Sequence, residues 1–199
     1  MKKINTFWLN YLRPNIFVRD VSEINLHALK MSGTKLIVCD LDNTLVPYFS
    51  MYPNKFVFDF INNAKEEGFE ILIASNNTKK RVSTFVKKLQ ETTDVKHFLW
   101  SCKKPIALKI RKWIKNSPYK FDEIVFIGDQ FLTDILLANW LKAKSILVFP
   151  LIDSTNNSDV NFFFKLMEKF IYKKLSQENI LNEFDVSLGE FNDYENELL

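Results

Sequence analysis

Residues 35–45 read KLIVCDLDNTL, an apolar run that ends in two aspartates spaced two positions apart. The run at residues 35–39 shows no polar alternation, which is typical of a strand buried on both faces of a parallel sheet. Asp40 and Asp42 follow directly, so both carboxylates are predicted at the carboxyl end of that strand. In open α/β sheets this is the edge at which ligands bind.

The rest of the chain alternates apolar runs with helical patterns. Further strands are predicted at residues 70–74, 97–100, 123–127 and 145–149, all buried. Helices are predicted at residues 54–67, 78–90, 105–116, 131–142 and 160–175, and the third of these is expected to begin at Pro105. This order predicts an α/β fold, a doubly wound, Rossmann-like parallel sheet with right-handed crossovers.

A chain of 199 residues suffices for one such domain and is too short for two ordinary domains with linkers. We expect residues 1–34 to be a lead-in segment that packs against the sheet and residues 35–176 to be the core with its C-terminal helix. Residues 151–159 are expected to form a polar linker inside that core. Residues 177–199 are expected to be an acidic tail.

Charge is unevenly distributed along the chain. The formal net charge is +3, but residues 177–199 contain acidic side chains and no Lys or Arg, so the remainder is strongly basic. A basic body suits an anionic substrate or surface, and it is equally typical of a solvated lysine-rich surface. Because no recognised binding motif accompanies it, no specific nucleic-acid partner is predicted.

Cysteine content and hydropathy indicate a compartment. Cys39 and Cys102 are too few for a disulfide framework, and Cys39 falls in a predicted buried strand. We read no signal peptide at the N-terminus, and no stretch approaches the roughly 18 apolar residues that cross a bilayer. We therefore expect a cytoplasmic protein, peripheral at the inner face of the membrane if its substrate is a lipid.

The paired aspartates suggest covalent catalysis. Asp40 could attack phosphorus to form an aspartyl phosphate, and Asp42 could protonate the leaving oxygen and then activate water. An Asp-x-Asp pair alone is weak support, because surface turns contain many. Its position at a strand end strengthens the hypothesis, since buried carboxylates there are costly without a metal or hydrogen-bond donors.

A second acidic set, Asp129 and Asp134, follows the predicted strand at residues 123–127. Mg²⁺ prefers oxygen ligands, so Asp40, Asp129 and the main-chain carbonyl of Asp42 could form its site, with Asp134 as a further ligand or an anchor for water. Gly128 is expected to let the backbone turn tightly. The alternative makes both acids helix N-terminal charges favoured by the helix dipole.

Phosphate-binding groups are predicted between these two sets. Ser75 and Asn76 end the second predicted strand, where a hydroxyl and the amides of a helix start can cradle a phosphate; the alternative is an N-cap. Lys103 and Lys104 follow the third strand. A lysine there can neutralise both the nucleophile and the phosphoryl group.

These four segments, in this order, resemble the haloacid dehalogenase (HAD) phosphatase superfamily. DLDNT, the serine of ASNN, the lysine of KKP and GDQFLTD match its four motifs. The resemblance implies that Asp40 is the nucleophile, Asp42 the acid/base, and Thr44, Ser75, Asn76 and Lys104 the phosphate-binding residues, with Lys103 the fallback for Lys104. It also implies Mg²⁺ at Asp40, Asp42, Asp129 and Asp134.

Residues 13–48 and the strand ILVFPL are similar to the YqeG-type subgroup, which is related to mitochondrial phosphatidylglycerophosphate phosphatases. The short intervals between the motifs leave no room for a cap domain, so the site is expected to be open and able to accept a large or surface-bound ester. The resemblance implies hydrolysis of a lipid phosphate such as phosphatidylglycerophosphate. Soluble phosphomonoesters, phosphoproteins and a partner-binding role remain alternatives.

Membrane contact is a separate expectation. The helix predicted at residues 160–175, together with Phe7, Trp8, Tyr11 and Arg13, has the aromatic and basic residues that interfacial binding needs. The alternative is that this helix is the last core helix of the fold. The oligomeric state is not predicted.

Overall fold

A computed structural model describes residues 6–151, 162–178 and 181 of the chain. The predicted linker at residues 151–159 and the predicted acidic tail at residues 177–199 lie mostly outside these residues. The strands are β1 (Ile16–Val18), β2 (Leu36–Cys39), β3 (Glu70–Ala74), β4 (His97–Leu99), β5 (Ile124–Gly128) and β6 (Lys144–Val148). In the described part of the chain they form one all-parallel sheet in the order β1-β6-β5-β2-β3-β4, so the predicted α/β parallel sheet is confirmed.

The helices are α1 (Leu26–Met31), α2 (Lys55–Glu66), α3 (Lys79–Leu89), α4 (Leu108–Lys115), α5 (Leu136–Leu141) and α6 (Phe162–Gln177), and a π-helical turn (Phe131–Ile135) leads into α5. Three of these helices begin at a side-chain cap, and for α1 the cap is Asn25, which accepts a hydrogen bond from the Ala28 N–H. Asn54 accepts a hydrogen bond from the Val57 N–H before α2, and Thr78 accepts one from the Arg81 N–H before α3. Such caps satisfy amide groups that the first helical turn leaves without partners.

Strand β2 lies in the middle of the sheet and is buried on both faces. Ile37 and Cys39 pack with the apolar faces of α2 and α3, whereas Leu36 and Val38 pack with those of α4 and α5. This follows from the alternation of side chains along a strand. The continuous apolar pattern around residue 36 is therefore the pattern of a strand covered by two helical layers.

A third apolar cluster closes one end of the sheet. It joins Leu12 and Phe17 of the N-terminal segment to Leu147 of β6 and to Ile171 and Leu175 of α6. The buried side of α6 is thus part of the core, as the second interpretation of this helix expected. Its other side exposes apolar residues, namely Phe163, Leu166 and Phe170.

Three local features differ from the sequence-based expectations. The lead-in segment contains β1, which was not predicted because its strand has only three residues and follows Pro14. The helix expected to begin at Pro105 begins at Leu108, because Ala107 has a left-handed backbone (φ 50°) that a helix cannot include. Strand β4 was expected to be buried but is half-buried, since it forms the edge of the sheet.

The chain order of the strands reverses between β2 and β5. From β2 the chain proceeds outward through β3 and β4, and it then returns to the other side of β2 to form β5 and β6. Such a reversal opens a crevice at the carboxyl ends of the two strands, where ligands bind in open α/β folds. Asp40 follows β2 and Asp129 follows β5, so the two acids flank this crevice.

Within the described ranges, no helix is long and apolar enough to cross a membrane.

The core described above makes a prediction about stability. Phe85 of α3 is completely buried in the cluster that covers one face of the sheet. Phe85→Ala should lower the free energy of unfolding by about 3–5 kcal/mol, because the cavity cannot collapse fully. Met31→Ala is the control, since Met31 is 74% exposed, and it should change that free energy by at most about 0.5 kcal/mol. Urea unfolding measures both; equal losses would contradict the assigned packing.

Candidate active site

The centre of the site is the ammonium group of Lys104. Its Nζ donates to Oδ1 of Asp40 at 2.7 Å and to Oδ1 of Asp134 at 2.6 Å. The Lys104 side chain is only 4% exposed, so these are charge-assisted hydrogen bonds in a site of low solvent access. Lys103, the alternative in the sequence, is exposed and carries no described contact with the carboxylates. The structure therefore brings Lys104 into the acidic cluster.

Three carboxylates surround this position. Oxygen atoms of Asp40, Asp129 and Asp134 lie within 4.8 Å of one another, and the three side chains come from the ends of β2 and β5 and from the π-helical turn. One lysine cannot balance three carboxylates. A hard divalent cation binds oxygen ligands, so the donor set fits Mg²⁺.

The pKa values of these groups show the same imbalance. Burial raises the pKa of Asp40 to about 7; Lys104 opposes the rise and the charge of Asp134 adds to it. Burial, together with Asp40 and Asp134, raises the pKa of Asp129 well above its usual value. Burial alone would lower the pKa of Lys104, but the two adjacent carboxylates raise it overall. Lys104 therefore stays charged, and its single positive charge does not balance the three carboxylates.

The two metal-side acids differ in how they are held. Asp134 accepts three hydrogen bonds: its Oδ1 accepts from Lys104, and its Oδ2 accepts from the Thr133 hydroxyl at 2.9 Å and from the Gln130 N–H at 3.3 Å. Asp129 accepts from the Thr44 hydroxyl at 3.3 Å. Asp134 is thus placed to anchor Lys104, and Asp129 retains oxygen lone pairs for a cation.

The structure shows a steric reason for Gly128 that the sequence did not indicate. The φ of Gly128 lies outside the left-handed range, so this backbone angle does not by itself demand a glycine. A Cβ at this position would lie 2.6 Å from Oδ2 of Asp134 and would overlap the Asp134 carboxyl carbon. Glycine therefore allows the close approach of the π-helical turn to the end of β5. This approach is what brings Asp134 to Lys104.

The Asp42 carboxylate is bound by hydrogen-bond donors that do not contact the other three carboxylates. Its Oδ2 accepts from the Ser75 hydroxyl at 3.3 Å and from the Asn77 amide at 3.1 Å. Its Oδ1 accepts from Nε and Nη2 of Arg81 at 3.0 and 2.9 Å. The predicted acid/base therefore sits among donors at the start of α3, where its carbonyl and not its carboxylate remains the group proposed for the cation.

Arg81 and Asn77 were not predicted from the sequence. Arg81 is 6% exposed, and its Nη1 is buried with no hydrogen-bond partner in the described part of the chain. The available signal was weak, because Arg81 stands in a run of basic residues, NNTKKR, that reads as a solvated surface. Its spacing of four residues from Phe85, which lies on the buried side of α3, was the one clue.

The phosphate-binding residues predicted from the sequence lie in the same neighbourhood. Asn76 accepts from the Lys104 main-chain N–H at 2.7 Å, and Ser75 accepts from the Asn77 N–H at 3.0 Å while its main-chain carbonyl accepts from the Cys102 N–H. These bonds join the loops that follow β3 and β4. Thr44 is buried, and its hydroxyl donates to Asp129. Direct contact of these residues with phosphate stays a prediction.

The comparisons with known proteins agree with this arrangement. The sequence model of the family described as "Mitochondrial PGP phosphatase" matches residues 8–150. The chain belongs to this family. It is also 30% identical, over 168 residues, to "Probable phosphatase YqeG" of Bacillus subtilis (strain 168), and the match covers 84% of this chain and 94% of that protein.

Among solved structures, "Crystal structure of an uncharacterized protein from Listeria monocytogenes serotype 4b" is similar, with a TM-score of 0.48 and 16% identity. The structural match covers 70% of this chain and 99% of the Listeria chain. The family and the YqeG match show that the chain is a capless HAD phosphatase of YqeG type, as the motifs implied.

The contact between Arg81 and Asp42 can be tested by stability. Arg81→Met should cost about 3 kcal/mol of unfolding free energy, because it leaves a largely buried carboxylate without its charged partner. In an Asp42→Asn background the same change should cost clearly less. The control is Lys88→Met on the same helix. Lys88 contacts Glu91 at 2.7 Å, but both side chains are half-exposed, so the free energy of unfolding should hardly change. If the losses of unfolding free energy in Arg81→Met and Asp42→Asn simply add in the double variant, the two residues are not coupled and the assigned contact is wrong.

Proposed function

We propose that this phosphatase hydrolyses phosphomonoesters with Mg²⁺ through an aspartyl phosphate on Asp40, and that phosphatidylglycerophosphate is its substrate. The observation that carries the proposal is the position of Asp40. It lies at the strand reversal of the sheet, 2.7 Å from a buried ammonium group and beside the carboxylates of Asp129 and Asp134. A nucleophilic carboxylate needs such an environment, because its target is itself anionic.

The first half of the reaction uses Asp40 and Asp42. Oδ1 of Asp40 is bound to Lys104, so its other oxygen would attack phosphorus and form an acyl phosphate bond as the bond from phosphorus to the ester oxygen breaks. Asp42 would donate a proton to the leaving ester oxygen. Lys104 would stay protonated and lie between the carboxylate and the phosphoryl oxygens, which lowers their repulsion.

The second half returns the enzyme to its starting state. Asp42, now a carboxylate, would take a proton from a water molecule whose oxygen attacks the phosphorus of the aspartyl phosphate. The acyl phosphate bond breaks, Asp40 is released as a carboxylate, and inorganic phosphate leaves. Ser75 and the amides at the start of α3 would bind the phosphoryl oxygens in both halves. Asp40, Asp129 and the carbonyl of Asp42 would hold Mg²⁺, which supplies positive charge for the phosphoryl group.

Two observations support a lipid substrate. The family to which the chain belongs is described by a lipid phosphatase activity. The capless site is also open to an ester whose remainder stays in a membrane. We therefore propose a cytoplasmic protein that is peripheral at the inner face of the membrane. Hydrolysis of soluble esters or phosphoproteins, or partner binding without turnover, are the alternatives that the first experiment separates.

That experiment measures phosphate release with Mg²⁺ from phosphatidylglycerophosphate vesicles, sugar phosphates, nucleotides, a phosphopeptide and p-nitrophenyl phosphate. The wild type should prefer the lipid. Asp40→Asn should reduce turnover by at least roughly a thousandfold, since an amide is a poor nucleophile. Asp59→Asn, on the exposed side of α2, is the matched control and should stay active. Full turnover by Asp40→Asn would refute the mechanism, and preference for a soluble ester would refute the lipid assignment.

Metal binding can be measured without turnover. Mg²⁺ should raise the melting temperature, by an amount equivalent to about 2.7 kcal/mol at roughly a hundred times its Kd. Because burial raises the pKa of Asp40 to about 7, protons compete with the cation for this carboxylate at pH 6 and much less at pH 8. The increase should thus be larger at pH 8. Asp129→Asn should abolish it and Asp59→Asn should preserve it; an increase that persists in Asp129→Asn would place the cation elsewhere.

A further inference from the structure

Large apolar side chains are exposed in the loop that follows the nucleophile motif. Phe49, Met51 and Tyr52 are 53%, 40% and 58% exposed in the segment between β2 and α2. The segment begins beside the site, because the Tyr48 N–H donates to Oδ1 of Asn43. Scattered apolar residues on a surface need no explanation, but a group of them within a short loop does.

A second loop at the same edge has the same character. Ile106 and Leu108 are 63% and 72% exposed, and they follow Lys104 directly. The start of this loop is fixed to the site, since the Lys104 N–H donates to Asn76 and the Lys104 ammonium group lies among the carboxylates. Both apolar loops therefore extend from residues that belong to the candidate active site.

The segments that contain or adjoin these loops carry basic but no acidic side chains. Residues 43–58, 75–90 and 100–121, which follow β2, β3 and β4, contain no Asp or Glu, and all three segments contain lysine. Lys79, Lys80 and Lys103 are exposed at the starts of the last two segments. A surface of this composition is complementary to an anionic partner.

We propose that residues 47–54 and 105–108, here called the catalytic-edge loops, form a docking surface for an anionic phospholipid bilayer. Aromatic rings and lysines suit the headgroup region, and aliphatic chains gain by entering the acyl boundary. Met51, Ile106 and Leu108 are exposed aliphatic side chains that cannot stack on nucleic-acid bases, so a bilayer fits the loops better than a nucleic acid does.

This inference rests on the proposed lipid substrate and specifies how the site reaches it. An uncapped site cannot enclose a lipid, so the membrane surface itself must be brought to the nucleophile. Docking through the catalytic-edge loops, which follow Asn43 and Lys104 in the chain, would place the carboxyl edge of the sheet against the headgroups. A phosphate at the bilayer surface then approaches Asp40 while its acyl chains stay in the membrane.

Vesicle co-sedimentation tests the docking surface without any catalytic step. Wild-type protein should sediment with vesicles of equal parts phosphatidylcholine and phosphatidylglycerol, and weakly with phosphatidylcholine alone. Phe49→Ser combined with Tyr52→Ser should weaken binding by roughly tenfold or more, because two rings no longer enter the interface. Lys79→Glu with Lys80→Glu should weaken it about tenfold or more and remove most of the salt dependence.

Controls separate docking from folding and from catalysis. Met31→Ser removes an apolar side chain on α1 that is more exposed than Phe49 or Tyr52, and this variant should sediment like the wild type. The loop variant should hydrolyse p-nitrophenyl phosphate at the wild-type rate, so a loss confined to vesicles isolates the surface from the chemistry. Three results would overturn the inference: wild-type binding by the loop variant, loss of binding in Leu166→Ser on α6 instead, or binding of the wild type to a single-stranded oligonucleotide but not to vesicles.

Discussion

The buried contact between Lys104 and the carboxylates of Asp40 and Asp134 is the constraint on which this site depends. It joins the loop after β4, the end of β2 and the π-helical turn, which are three separate parts of the chain. A single ammonium group cannot balance Asp129 as well. The site therefore carries more carboxylates than one ammonium group can balance, a donor set that suits a divalent cation, and such a cation would lower the repulsion between an anionic phosphate ester and Asp40.

The backbone around Lys104 is held in costly conformations. Ser101, Lys103 and Ala107 have φ values of 48°, 54° and 50°, in the left-handed region that residues with a Cβ seldom occupy. Each costs on the order of 1 kcal/mol, and they persist because the surrounding hydrogen bonds, including that from the Lys104 N–H to Asn76, determine the path of the loop. The hydrogen bonds that offset this cost hold Lys104 beside the carboxylates.

Strands and site residues could be predicted from the sequence wherever one physical signal dominated. A fully apolar run defined β2, and carboxylates at the ends of buried strands defined the edge that carries Asp40 and Asp129. Prediction failed where tertiary contacts decide: β1 is too short to have a period, the left-handed Ala107 delays α4, and Gly128 is needed by a side chain six residues away. Arg81 was missed for the same reason, since burial of one basic residue among many follows from packing.

The environments of Asp40 and Asp42 explain how two aspartates in one motif can have different roles. Asp40 belongs to the cluster of Lys104, whereas Asp42 is bound by Arg81 on one oxygen and by Ser75 and Asn77 on the other. If phosphoryl oxygens took both the Ser75 hydroxyl and the Asn77 amide, Oδ2 of Asp42 would be free to carry a proton in its proposed role, while Oδ1 would stay on the guanidinium group. Substrate binding would thus prepare the acid/base without moving it, because the anchor and the exchangeable donors occupy different oxygens.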